Sequence, residues 1–137
     1  MSDPDCIFCK IVAGELPATI LDEDERTIAF MDIAPATRGH ALVIPRAHST
    51  DLLSVDQQDL GAVALAAQRL AARMKQRLGV AGVNLMNSCG AAAWQTVFHF
   101  HMHVIPRYEH DPLQLPWTPT PGEPGEIAAA AKELADR

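Results

Sequence analysis

Apolar and polar positions along the chain change their period twice, and the changes mark its elements. A short run from Cys9 to Ala13 that stops at Gly14 predicts one helical turn. Ala18–Leu21 and Thr27–Asp32 read as strands, and the polar Glu23-Asp24-Glu25-Arg26 predicts the hairpin between them. Ala41-Leu42-Val43-Ile44 is an unbroken apolar run ended by Pro45, which predicts a strand buried on both faces with His40 at its entrance. From Ser54 the period becomes helical. Leu60, Val63, Ala64, Ala67, Leu70, Met74 and Leu78 recur on one stripe up to Gly79, and Ser54 with Gln57 has the spacing of a capping box. Val83–Asn87 predicts a further strand, Ser88–Ala93 a turn of small residues, and Val97–Ile105, closed by Pro106, the last strand. Alanine-rich Glu126–Asp136 predicts a C-terminal helix.

The connections around Asp24 and Cys89 are too short for crossovers, so the fold class is α+β, a mainly antiparallel sheet of about five strands with one long helix and a C-terminal helix. A length of 137 residues fits one domain over 1–137, and 48% hydrophobic residues are enough for one core, placed at about 6–107. Pro112, Pro116, Pro119, Pro121 and Pro124 make 111–124 a proline-rich loop leading into the last helix, and Pro112–Trp117 is a candidate to reach over a site. No Gly-rich phosphate loop and no internal repeat is written here. A formal charge of -6 argues against general nucleic-acid binding, which needs a basic surface. Acid stands where a signal peptide would carry Lys or Arg, and no apolar run approaches the ~18 residues of a membrane span. The expectation is a cytoplasmic protein with no membrane partner. In a reducing compartment Cys6 and Cys9 are then metal ligands or free thiols, not a structural disulfide.

His99-Phe100-His101-Met102-His103 carries the candidate chemistry. In a strand these three histidines share one face, while Phe100, Met102 and Val104 take the other. Imidazoles on one face offer no packing advantage over Thr or Val, so a chemical role is expected. Metal ligation and nucleophilic attack on phosphorus are the two candidates. Alternate strand residues lie about 6.6 to 6.8 Å apart, so one ion bound by all three would be strained.

The stretch Gln95–Pro106 resembles the signature of the histidine-triad (HIT) family, three histidines alternating with apolar residues after a Gln and a hydroxyl residue. Cys6–Ile11, Phe30–Pro35 and Gly39–His48 extend the resemblance in the family's order. It implies a HIT-like fold and a hydrolase or transferase that cleaves a nucleoside 5'-monophosphate from an amine or phosphate leaving group, through a nucleotidyl-histidine. Residue by residue it implies His101 as nucleophile, His103 as donor to a phosphate oxygen, His40 as a phosphate or proton-relay contact, and Gln95 and Thr96 as contacts to the phosphate or leaving group. Asp32 would accept from the ribose hydroxyls. Ile7, Phe8, Ile11, Phe30 and Ile33 would enclose a purine, and Ser88 or Asn87 would touch substrate. Trp94 departs from the family pattern, which often has Gly before the Gln and lets backbone approach phosphate there.

Cys6-x-x-Cys9 is by itself only a zinc half-site, and two buried thiols is the other reading. The resemblance to bacterial-type members adds His48 and His99, a closed Cys2His2 set that would be structural, with no organic cofactor. It also implies a homodimer. A dinucleoside polyphosphate hydrolase, a nucleotide sensor with little turnover and a metalloenzyme built on the three histidines are the alternatives.

Overall fold

The chain runs α1 (Ile7–Val12), β1 (Ile20–Glu23), β2 (Thr27–Met31), β3 (Ala41–Pro45), α2 (Gln57–Arg77), β4 (Gly82–Met86), a 3-10 turn at Ala91–Ala93, β5 (Met102–Arg107) and α3 (Pro124–Leu134). The computed structural model describes residues 2–135, so Asp136, the expected end of the last helix, lies outside the described residues. The five strands form one sheet in the order β1-β2-β3-β5-β4, every neighbouring pair antiparallel. This is the expected α+β architecture.

Opposite faces of the sheet pack against different helices. Ala29, Ala41, Val43, Phe100 and Val104 meet the α2 stripe Val63, Ala67, Leu70 and Met74. Ile28, Phe30, Leu42 and Ile44 meet Cys6, Phe8 and Cys9 of the α1 region. Since Leu42 lies opposite His103, and Ala41 opposite Val104, the histidines fall on the α1 face and Val104 on the α2 face.

Several boundaries differ from the expected ones. α1 begins at Ile7, not Cys9, because Cys6 caps it, its Sγ accepting from the Cys9 N–H at 3.4 Å. The Ser54–Gln57 capping box does not form. Asp56 caps α2 instead, its carboxylate accepting from Gln58 N at 2.8 Å and Asp59 N at 3.3 Å, while the Ser54 hydroxyl turns back to Asp51. An ionised carboxylate is the stronger acceptor for the positive end of the helix. α3 likewise starts two residues early, capped by Glu123 with Pro124 in its first turn.

Pro45 is the last residue of β3, as expected, whereas Pro106 lies inside β5 rather than ending it. Pro106 is turned so that its missing N–H faces a side beyond the start of β3, where no ladder bond is needed, whereas Pro45 faces the end of the β3–β5 ladder. The Pro106 carbonyl accepts from the Thr37 hydroxyl at 2.6 Å and the Pro45 carbonyl accepts from a His99 ring nitrogen at 2.8 Å, which shows the side each residue faces. Pro45 also explains why β5 starts at Met102 and not at Val97. The β3–β5 register ends at the Val43–Met102 pair, and two residues further on it would set Pro45 against Phe100, where proline has no N–H to donate. Phe100 N–H bonds the Ser49 carbonyl at 2.8 Å instead. Of the three histidines only His103 therefore sits in the sheet.

Candidate active site

Four elements converge on the α1 face. The end of β2 brings Asp32, the start of β3 brings His40, the segment before β5 brings His99 and His101, and β5 brings His103. Phe8 of α1 lies beneath them, edge-on to His99 at 5.9 Å, to His101 at 5.3 Å and to Phe30 at 5.4 Å between ring centroids. The His101 and His103 rings are 5.1 Å apart.

Hydrogen-bond partners assign the ring protons. His101 Nδ1 lies 2.7 Å from the His99 carbonyl, which can only accept, so Nδ1 carries the proton and Nε2 the free lone pair. The Ala36 N–H donates to His40 Nδ1 at 2.9 Å, so the His40 proton is on Nε2. That Nε2–H lies 2.9 Å from His103 Nδ1 and 3.4 Å from Asp32 Oδ2. His103 Nδ1 is thereby an acceptor, and its own proton sits on Nε2. One imidazole is left as a base and its neighbour as a donor. Burial pushes His40 and His101 below the ordinary histidine range, and pushes His103 down to about 4 with help from the neighbouring His101 and His40 rings. All are neutral near pH 7.

His99 is fully buried and differs in orientation. Its Nε2–H donates to the Pro45 carbonyl at 2.8 Å, and its Nδ1 lone pair faces Cys6 Sγ at 3.5 Å and Cys9 Sγ at 3.6 Å. His48 Nδ1 lies 3.4 Å from Cys9 Sγ. The four ligand atoms of Cys6, Cys9, His48 and His99 lie within 4.8 Å of one another. A tetrahedral zinc ion, with bonds of roughly 2.3 Å to sulfur and 2.0 Å to nitrogen, sets sulfur–nitrogen edges of about 3.5 Å. The residues fit the ion. Asp32, His40 and His103 also converge within 4.8 Å. There the Ala36 N–H occupies His40 Nδ1, so a lone pair on Nε2 would require two hydrogens to face each other, and the trio is a hydrogen-bond network instead.

The other expected site residues separate into spent and available groups. The Gln95 amide is used within its own loop, accepting from Gly90 N at 2.7 Å and donating to the Thr50 carbonyl at 2.8 Å and the Val97 carbonyl at 3.1 Å. Asn87 donates to the His101 carbonyl at 2.9 Å, so it holds the backbone of that residue. Asp32 Oδ1 accepts from Ala34 N at 2.8 Å, leaving Oδ2 toward the histidines. Thr96 is exposed and Ser88 buried. Phe8 and Phe30 are core, Ile7 and Ile11 are more open, and Ile33 is 99% exposed. Trp94 keeps the left-handed backbone that glycine favours, with φ 77°. It lines a groove of about 920 Å³ with Ala36, Met86, Arg107 and Leu113–Trp117. Met86 lies opposite His103, so the proline-rich segment borders the histidine face. Ala36 was not expected in the site: it acts through its backbone, which no side-chain pattern announces.

The HIT domain pattern matches residues 13–110, a stretch that contains Asp32, His40, His48 and all three clustered histidines. The chain belongs to the HIT family. Among its HIT relatives, an uncharacterized HIT-like protein of Mycoplasma genitalium is 46% identical over 104 residues, 76% of this chain and 74% of its own. The adenosine 5'-monophosphoramidase of Schizosaccharomyces pombe is 35% identical over 133 residues, 96% of this chain and 97% of its own. In three dimensions a Streptococcus mutans protein superposes with a TM-score of 0.91 at 34% identity, over 97% of this chain and 85% of that one. A zinc-bound histidine triad family protein of Mycobacterium smegmatis superposes at 0.78 with 40% identity, over 95% of each chain. No helix among the described residues is long and apolar enough to cross a membrane.

Proposed function

We propose that this HIT protein cleaves a nucleoside 5'-monophosphate from an amine or phosphate leaving group through a nucleotidyl-histidine on His101. The observation that carries the reading is the His101 ring itself, with Nδ1–H fixed on the His99 carbonyl and Nε2 left as a lone pair beside the His103 donor. His101 Nε2 attacks the α-phosphorus, a P–N bond forms, and the bond to the leaving group breaks with its electron pair going to the leaving nitrogen or oxygen. Water then attacks phosphorus and displaces His101, releasing the monophosphate. The His103 Nε2–H and the Thr96 hydroxyl donate to the phosphoryl oxygens as charge builds on them. His40 and Asp32 hold His103 in the donor tautomer, and Asp32 Oδ2 is the acceptor offered to a ribose hydroxyl. Ser88 is assigned to the substrate side and Gln95 to holding the loop.

Ile7, Ile11 and Ile33, over the Phe8 and Phe30 floor, form the proposed purine enclosure; a freely exposed isoleucine such as Ile33 is apolar surface that a base would cover. Cys6, Cys9, His48 and His99 are proposed to hold a structural zinc, which would cross-link α1 to the segment before β5. The name of the S. pombe relative and the ion in the M. smegmatis neighbour support these two assignments. A cytoplasmic homodimer is part of the same proposal.

Adenosine 5'-phosphoramidate tests it. The protein should release AMP without added metal, give a mass increment of one adenylyl group on His101 when quenched, and lose at least about a thousandfold in turnover as His101→Ala, as removal of a covalent nucleophile does. Full turnover in that variant would sink the assignment. Diadenosine polyphosphates run beside it identify the leaving group, and AMP binding with no adduct would point to the sensor.

A further inference from the structure

On the opposite side of the sheet from the histidines, a cleft of about 330 Å³ opens between β1, β2 and the C-terminal half of α2. Its apolar lining is Leu21, Met31, Leu70, Met74 and Leu78, with Leu70 and Met74 buried at the floor. Three arginines, Arg38, Arg73 and Arg77, complete it. Charge in this chain is acid-rich, 17 Asp and Glu against 11 Lys and Arg, so a basic side chain finds a carboxylate easily. Arg26, Arg46, Arg69, Arg73 and Arg107 each have one within 4.0 Å. Arg38 and Arg77 are the two described arginines with none, and both line this cleft.

We propose that the cleft binds a medium-chain alkyl carboxylate, its chain against Leu70, Met74 and Leu78 and its head between Arg38 and Arg77. The volume falls at the lower end of the range for small-ligand sites, and the mixture of an apolar wall with a few charged groups is the composition such sites have. Two guanidinium forks with no carboxylate partner among the described residues match one planar carboxylate. Asp22 holds Arg73 at 2.8 Å, so that guanidinium is already paired and the head group falls to Arg38 and Arg77. Gly39 closes one end: a Cβ there would stand 2.7 Å from Leu78 and 3.2 Å from Pro106, so the wall is glycine-dependent.

Octanoate is the probe, followed by amide chemical shifts and calorimetry at low ionic strength. One molecule per chain should bind, shifting Met31, Gly39 and Met74, and AMP at the histidine face should not displace it. Octanol should bind at least about tenfold more weakly, and the double variant Arg38→Gln/Arg77→Gln should lose about tenfold for octanoate while its melting temperature and AMP binding stay unchanged. The proposal fails if no saturable binding appears by about 5 mM. It fails equally if octanol matches octanoate, if the double variant binds normally, if AMP competes, or if the shifts fall on Ile7, Ile11 and Ile33. None of these results depends on whether His101 is a nucleophile.

Discussion

A single backbone N–H decides which nitrogen of His40 carries its proton, and through that bond which nitrogen of His103 carries its own. Ala36→Pro removes that donor while proline at 35 already constrains the turn. Long-range nitrogen–proton spectra at neutral pH should then show His40 and His103 losing their single tautomers, with turnover falling roughly ten- to a hundredfold as one oriented group is lost. Unchanged tautomers would mean that Asp32 alone orders the pair. At this scale the sequence was legible where side chains build the candidate site: the histidines, Asp32 and the two cysteines are all at one face of the sheet. It was silent where backbone does. Neither Ala36 nor the Pro45 carbonyl has a side chain that advertises its role, and the Gln95 amide looks like a ligand group in sequence yet is consumed by Gly90, Thr50 and Val97.

Among the elements, helix starts were the least legible because several acceptors stood close together. Ser54 and Asp56 both precede the apolar stripe of α2, and only the three-dimensional position of Asp51 shows that Ser54 is already engaged. Asp56→Ala should destabilise the protein by about 1 kcal/mol in urea unfolding, whereas Ser54→Ala should cost clearly less for the helix, since it removes no cap. Equal losses would return the cap to Ser54. Periodicity placed the strands well where one face is buried and the other packed, as in β3, and overran the start of β5. There the alternation of apolar residues and histidines continues through 99 to 101, but the hydrogen-bond ladder has stopped.

For the molecule as a whole, the buried neutral histidines tie stability to pH. His103 is held near 4 when folded against an ordinary value near 6.5 when unfolded, so between those values the unfolded chain binds more protons and stability falls as pH falls. Its share is fully present above about pH 6.5 and amounts to about 2 kcal/mol lost by pH 5. Melting curves at pH 7 and pH 5 should therefore differ less in His103→Asn than in the parent, compared at equal zinc content. A parent and variant with parallel pH profiles would place the sensitivity elsewhere.

The proline at the end of β3 has a wider consequence. With an N–H at position 45 the ladder would zip two residues further, drawing Phe100 and its neighbours into flat sheet geometry. His99 and His101 would then stand at regular strand spacing, and His99 would lose the carbonyl that turns its ring toward the cysteines. The separation of labour between adjacent histidines, one toward sulfur and one toward the open face, thus originates in an atom the protein lacks.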